Sequence, residues 1–493
     1  MIPLLLATLA QATPGFDPAT PAARFTGRET WTADGAVKIW SAIERLEDPD
    51  RTLLTPDAFS PAVKWPANIH YAPFIRDCFG TAEPGAHIAL LHMGPAEEVA
   101  EGTPILFVHG AGDNGSRAYV TMGTRMDRLF RPVYALTFAH PHGDAFKQAE
   151  LIADAIARIK HRTGATQVDL VAHSKGGVAA AIYLSNTADA DWGHDAYETV
   201  GTPYRGDVRR AVFIATPLDG IDSAFRWSAN NLASLDADEA LAPTSWSTYY
   251  PLTTSSPLVS TDLSGQDFLP QDGDFFPGHR QILKRQPYDL PGSNVALGAY
   301  AAQLDWYTTY EGGFGFYSYS AGIDAAIEAG GGLIDRIASR GVDPDVELFL
   351  LAGSNPILSN GADWVAELYG EAFRELANEN VDTWADFTAD LVGDGLVEQG
   401  IVRDEVEGLA SGDLVLGEVT GPSDGLVFVS SATHAQALTG RGAVVVDTKV
   451  ANLSHLDLLY ASPITGQLLI DAADGEDGED WMRAFGQRYI DED

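Results

Sequence analysis

Residues 168 to 181 read Val168-Asp169-Leu170-Val171-Ala172-His173-Ser174-Lys175-Gly176-Gly177-Val178-Ala179-Ala180-Ala181. An apolar β-type run feeds a small-His-Ser-Lys-Gly-Gly turn, and an Ala-rich helical segment leaves it. A serine on so sharp a strand-to-helix turn sits in a strained backbone conformation, so its neighbours two residues to either side must be small. Ala172 and Gly176 meet that demand. The outgoing helix brings its positive dipole end to the serine, and the N–H of Lys175 is expected to point where an oxyanion would form. By itself the pentapeptide also suits a plain Gly-rich turn between a strand and a packing helix. The rest of the chain has to discriminate between the two.

Working outward, apolar runs and helical periodicity alternate as a parallel sheet requires. Strands are expected at His87–Met93, Pro104–His109, Val133–Phe138, Gln167–Ala172 and Ala211–Ala215, with a helix over Phe146–Thr163 whose apolar face is Ile152, Ala155, Ile156 and Ile159. Such short buried strands divided by helices predict an α/β, doubly wound, mostly parallel sheet. The run Pro104–His109 leads into His109-Gly110-Ala111-Gly112, 65 residues ahead of Ser174. A His-Gly loop after a strand can lie beside the elbow, which nominates the N–H of Ala111 as a second oxyanion donor. Before these strands, residues 13 to about 80 read as an N-terminal wrap with one helix around Ala36–Leu46.

Regular alternation stops at 217. Residues 217–345 are Ser/Thr/Pro/Gly-rich and aromatic, and an insertion of that length predicts a cap over the site. Most of its aromatics would form the cap's own core; Trp306, Tyr310 and Phe314 are candidates to line an apolar substrate cleft. The core is expected in two parts, 13–216 and 346–493, the second opening with strand Val346–Ala352 and closing with strand Ala443–Val446. A helical excursion is expected at Asp363–Leu391.

The chain has 31 basic and 69 acidic residues among 493, a net charge of -38. That balance argues against nucleic acid or an anionic membrane as partner. One cysteine, Cys78, allows no intrachain disulfide and no Cys-based metal site. Residues 1–12 form a short apolar run ending in Ala-x-Ala, like a signal peptide without its basic n-region, so a secreted or periplasmic location is expected. No later segment has the ~18 to 20 consecutive apolar residues of a transmembrane helix. Oligomeric state cannot be read.

A serine hydroxyl is a poor nucleophile at neutral pH. It needs an imidazole to take its proton and a carboxylate to fix the imidazole's tautomer. On elbows of this kind the partners follow in chain order serine, acid, histidine. Ser174, Asp424 and His455 follow it. Of 12 histidines only His434 and His455 lie beyond Asp424, and only His455 falls in a loop after a final strand. His434 is expected in a helix with a structural role, and His173 is expected to pack within the elbow rather than act as base. For the acid, Asp424 in the tight turn Pro422-Ser423-Asp424-Gly425 is preferred over Asp394, which shares the Asp-Gly-Leu-Val context, and over Asp219. The set calls for no cofactor and no metal.

On the His109-Gly110 loop, the Ala172-His173-Ser174-Lys175-Gly176-Gly177 elbow, the Ser423-Asp424-Gly425-Leu426-Val427 turn and the His455-Leu456-Asp457 loop, the sequence resembles bacterial α/β-hydrolase lipases and esterases. The likeness covers roughly 85–220 and 345–470. The segment 108–114 also resembles the corresponding loop of lipase-like polyhydroxyalkanoate depolymerases. Both resemblances imply an α/β-hydrolase fold and cleavage of carboxylic esters, while the large cap insertion and the N-terminal wrap match neither; with the serine, acid and histidine this gives hydrolysis through an acyl-enzyme, on apolar esters or a polyester. Two alternatives stay open: an acyltransferase, and a catalytically silent binding protein on the same fold. Some of these lipases bind calcium through an aspartate placed like Asp457, but the tripeptide also occurs in relatives without calcium, so no metal is assigned.

Overall fold

The computed structural model describes residues 28–30, 40–47, 78–79, 87–95, 102–123, 131–193, 201–222, 248–253, 256–261, 278, 281–286, 327–354, 357–358, 414–415 and 423–459, apart from positions 112, 121, 142, 190, 329, 425, 452, 454, 456 and 457. Its centre is a nine-stranded sheet. The strands are β1 (Arg28–Thr30), β2 (Ala42–Glu47), β3 (Ile88–Met93), β4 (Ile105–Val108), β5 (Val133–Phe138), β6 (Val168–His173), β7 (Val208–Ile214), β8 (Glu347–Gly353) and β9 (Val444–Ala451). Their spatial order is β1-β2-β3-β5-β4-β6-β7-β8-β9. Neighbours from β5 to β9 are all parallel, whereas β1, β2 and β3 join antiparallel at one side.

Central parallel strands are covered on both faces, which is why β4 reads as an unbroken apolar run. In β4 the side chains of Leu106 and Val108 enter one core cluster, while Ile105 and Phe107 enter the other. The first cluster packs against helices α1 (Ala145–Thr163), α2 (Lys175–Ser185) and α3 (Leu333–Arg340). Helix α1 has clear ends. The Asp144 carboxylate accepts from the N–H groups of Phe146 and Lys147, and Gly164 closes the helix in the left-handed conformation.

The helix expected around Ala36–Leu46 is a correction: residues 42–47 form β2, paired antiparallel with β3 from Ala42↔Met93 to Glu47↔Ile88. Its many apolar positions suit a helical spacing as well as a strand, and the free edge of β3 decides the matter. Glu44, buried in β2, is held by Arg158 at 2.8 Å and Arg162 at 3.4 Å, both on α1. These ion pairs tie the strand to α1.

A parallel sheet wrapped by helices, crossing over at β3-β5-β4 and delivering a serine on the strand-to-helix turn after β6, is the α/β-hydrolase fold. The carboxyl ends of β4, β6, β8 and β9 all lie on one side of the sheet, where ligands bind in such folds.

Candidate active site

Ser174 stands between β6 and α2 with φ 51° and ψ -131°, a left-handed backbone that a non-glycine residue adopts at a cost of about 1–3 kcal/mol. The cost is carried by the surrounding bonds: the Ser174 N–H donates to the Ile214 carbonyl at 2.8 Å, and the Gly177 N–H donates to the Ser174 carbonyl at 2.9 Å. The small residues are needed for close approach. A Cβ on Gly176 would overlap the His109 carbonyl, and one on Gly110 would come within 2.8 Å of the Ser174 Cβ. The loop after β4 and the elbow after β6 therefore touch.

Across the sheet, β9 ends and the chain turns to bring His455 beside the serine. His455 Nε2 lies 3.0 Å from Ser174 Oγ, and its Nδ1 lies 2.8 Å from Asp424 Oδ2. Asp424 is fully buried, and its Oδ1 accepts from the N–H groups of Leu426 at 3.0 Å and Val427 at 2.8 Å. The His455 N–H donates to the Asp424 carbonyl at 2.9 Å, so backbone as well as side chain locks the pair. With the carboxylate on Nδ1–H, the Nε2 lone pair faces the hydroxyl.

The other candidates fall elsewhere. Asp219 is engaged by Lys284 Nζ at 2.6 Å. His434 sits in the link between two one-turn helices, α4 (Val429–Ala432) and α5 (Gln436–Thr439), rather than inside a helix. His173 packs against the His455 ring, centroids 4.6 Å apart, and its Nε2 donates to the His455 carbonyl at 3.2 Å. Burial, with the neighbouring His455, holds its pKa well below the usual range, so it stays neutral. It braces the backbone of His455, a role visible only once the two residues, distant in sequence, are neighbours.

Around the serine, the loop after β4 has a fixed hydrogen-bond pattern. The Phe138 N–H donates to His109 Nε2 at 3.1 Å, which leaves the ring proton on Nδ1, and Nδ1–H donates to the Gly110 carbonyl at 2.7 Å. The Gly110 carbonyl and the Ala111 N–H belong to one planar peptide, so fixing the first sets the direction of the second. On the elbow side, the Lys175 side chain is buried and its Nζ donates to Gln148 Oε1 at 2.5 Å. Burial pushes the ammonium pKa down to about 7, against the opposing pull of Asp144.

Trp306, Tyr310 and Phe314, the competing acid Asp394 and the calcium candidate Asp457 lie outside the described residues, as do the signal-like run 1–12 and the excursion 363–391. Of segment 217–345, Leu283 pairs with Ile221 within the segment, and Gln281 docks on the core, its Nε2 donating to Asp144 Oδ2 at 2.7 Å. Helix α3 shares the core cluster through Leu333, Ile334 and Ile337. Among the described residues, no helix is long and apolar enough to cross a membrane.

The described residues have the α/β-hydrolase fold, with an elbow serine, an imidazole and a buried carboxylate in one hydrogen-bonded line. No protein-family model matches the sequence. Among solved structures, the chain is similar to the mature form of the Bacillus licheniformis lipase BlEst2, at 13% identity and a TM-score of 0.35, covering 76% of this chain and 95% of that one. It is also similar to the carboxylesterase CesB (YbfK) from Bacillus subtilis, at 13% identity and a TM-score of 0.33, covering 79% and 88%. A third is the product of the gene lin2722 from Listeria innocua, at 13% identity and a TM-score of 0.32, covering 76% and 95%. At such scores these likenesses carry nothing about substrate or mechanism.

Proposed function

We propose that this chain is a serine hydrolase that cleaves carboxylic esters of apolar acids through an acyl-enzyme. The observation that carries the reading is the line Ser174 Oγ, His455 Nε2, His455 Nδ1, Asp424 Oδ2, with both links at hydrogen-bond distance and the serine on a strained elbow. In the first step Ser174 Oγ attacks the ester carbonyl carbon while its proton passes to His455 Nε2, and Asp424 stabilises the imidazolium that forms. The N–H groups of Ala111 and Lys175 receive the oxyanion. As the tetrahedral intermediate collapses, the carbon–oxygen bond to the alcohol breaks and His455 returns the proton to the departing oxygen. Water then attacks the acyl carbon, again giving its proton to His455, and the acid leaves as Ser174 regains its hydrogen.

Segment 217–345 is the cap in this reading, and its aromatics set acyl-chain preference. The test is hydrolysis of p-nitrophenyl esters of rising chain length, run beside release of fatty acid from emulsified triglyceride and of soluble product from polyester films. Turnover on none of these would reject the reading. Film release without triglyceride cleavage would move the substrate to polyesters.

A further inference from the structure

Lys175 contributes its backbone to the proposed oxyanion hole, yet its side chain is a buried cation in a place where an apolar residue would avoid the cost of desolvation. Two parts of the chain meet on it, the start of α1 with the loop before it and Gly278 of the insertion. The Nζ donates to Gln148 on the first turn of α1, and Gln148 Nε2 in turn donates to the His140 carbonyl at 2.9 Å. Asp144, the N-cap of α1, faces the ammonium and is its charged neighbour among the described residues. From the insertion, Gln281 bridges Asp144 and the Ala145 N–H, the latter bond 2.7 Å long. Gly278 closes the arrangement: a Cβ there would overlap both the Lys175 Cε and the Gly143 carbonyl, so its backbone rests directly on the lysine.

We propose that Lys175 is a positioning residue, its buried ammonium tying the elbow's oxyanion-donor peptide to the first turn of α1 and, through Gly278 and Gln281, to the insertion. The inference rests on the ester-hydrolase reading and deepens it. Loss of the tie leaves Ser174, His455 and the Lys175 N–H in the chain but lets the donor drift. A displacement of ~1 Å near the chemistry is enough to cost roughly 100-fold. Deprotonation weakens the same tie, because a neutral amine loses its attraction to Asp144. The rate should therefore fall on the alkaline side, with a midpoint near 7.

The experiment is a set of full pH profiles of kcat and KM on a p-nitrophenyl ester for wild type, Lys175→Met, Gln148→Leu and Gln148→Glu, with fluorophosphonate labelling of Ser174 in each. Lys175→Met should lower kcat roughly 10- to 100-fold with KM little changed, keep Ser174 labelling, and lose the alkaline limb. Gln148→Leu should reproduce the kcat loss. Gln148→Glu keeps the acceptor for Lys175 and adds a negative charge but gives up the bond to the His140 carbonyl, so it should recover part of the rate lost in Gln148→Leu and move the alkaline limb to higher pH. If Lys175→Met fails to fold, the opposite behaviour of the two Gln148 variants decides. An active wild type whose kcat and alkaline limb are unchanged in Lys175→Met, or unchanged in both Gln148 variants, overturns the proposal and leaves the hydrolase reading standing. A wild type that neither hydrolyses esters nor labels takes both down.

Discussion

Asp424→Asn is the substitution whose outcome the geometry fixes most tightly. Oδ1 of Asp424 accepts two backbone N–H groups, from Leu426 and Val427, while Oδ2 faces His455 Nδ1 at 2.8 Å. An asparagine has one oxygen and one NH2 group to share between these two sides. Turning the NH2 toward Leu426 and Val427 would set donor against donor in a fully buried position, at about 1–3 kcal/mol for each stranded group. The oxygen therefore stays on the backbone side and the NH2 faces His455. His455 Nδ1 must then accept, its proton moves to Nε2, and the imidazole meets Ser174 as a donor that cannot take a proton. The shape of the site is unchanged while the base is disabled. In serine-histidine-aspartate sites this tautomer error costs ~10⁴-fold in kcat, equivalent to about 5 kcal/mol of barrier. Steady-state hydrolysis of a p-nitrophenyl ester measures the loss, and ¹⁵N NMR of labelled histidine reads the tautomer. Asp424→Asn retaining activity within tenfold of wild type, or Asp394→Asn proving the more damaging change, would refute the assignment of the acid.

Gly110→Ala should cut kcat well beyond its effect on folding, since the new Cβ would come within 2.8 Å of the Ser174 Cβ; equal kcat in a folded variant would show that the loop can yield. His109→Ala frees the Gly110 carbonyl and strands the Phe138 N–H, so it should lower both kcat and, by about 1–3 kcal/mol, stability in denaturant. His109→Asn should recover part of the rate, because its amide can still donate to that carbonyl. Changing Trp306, Tyr310 or Phe314 should shift chain-length preference among esters and spare Ser174 labelling, as burial of apolar chain is worth about 25 cal/mol per Å²; identical chain-length profiles would remove these residues from the cleft.

Much of the core was legible because it depends on local patterns. Val133–Phe138 is strand β5 as expected, and the expected helix Phe146–Thr163 begins one residue earlier, at Ala145. The elbow announced itself through steric demand, since Ala172 and Gly176 are small where a backbone must pass close. Chain order pointed to His455, and the structure sets it against Ser174. What the sequence did not reveal was contact between distant segments. Strand β2 was mistaken for a helix because its identity depends on the edge of β3, and the expected final strand Ala443–Val446 runs on to Ala451 because β8 gives it a parallel partner along its length. Gln148, Asp144 and Gln281 carried no signal either: each is an ordinary polar residue in its own neighbourhood. Their meeting with Lys175 brings together positions as far apart as 144 and 281.

Ser174 is the activated nucleophile of the proposed reaction. Intact-mass analysis after exposure to a fluorophosphonate, on wild type and Ser174→Ala, tests this most directly. The prediction is a single adduct on wild type, mapped by peptide sequencing to Ser174, no adduct on a folded Ser174→Ala, and loss of ester turnover of ~10³- to 10⁶-fold in that variant. Wild type that stays unmodified, or Ser174→Ala that still labels or still hydrolyses esters at a comparable rate, would contradict it.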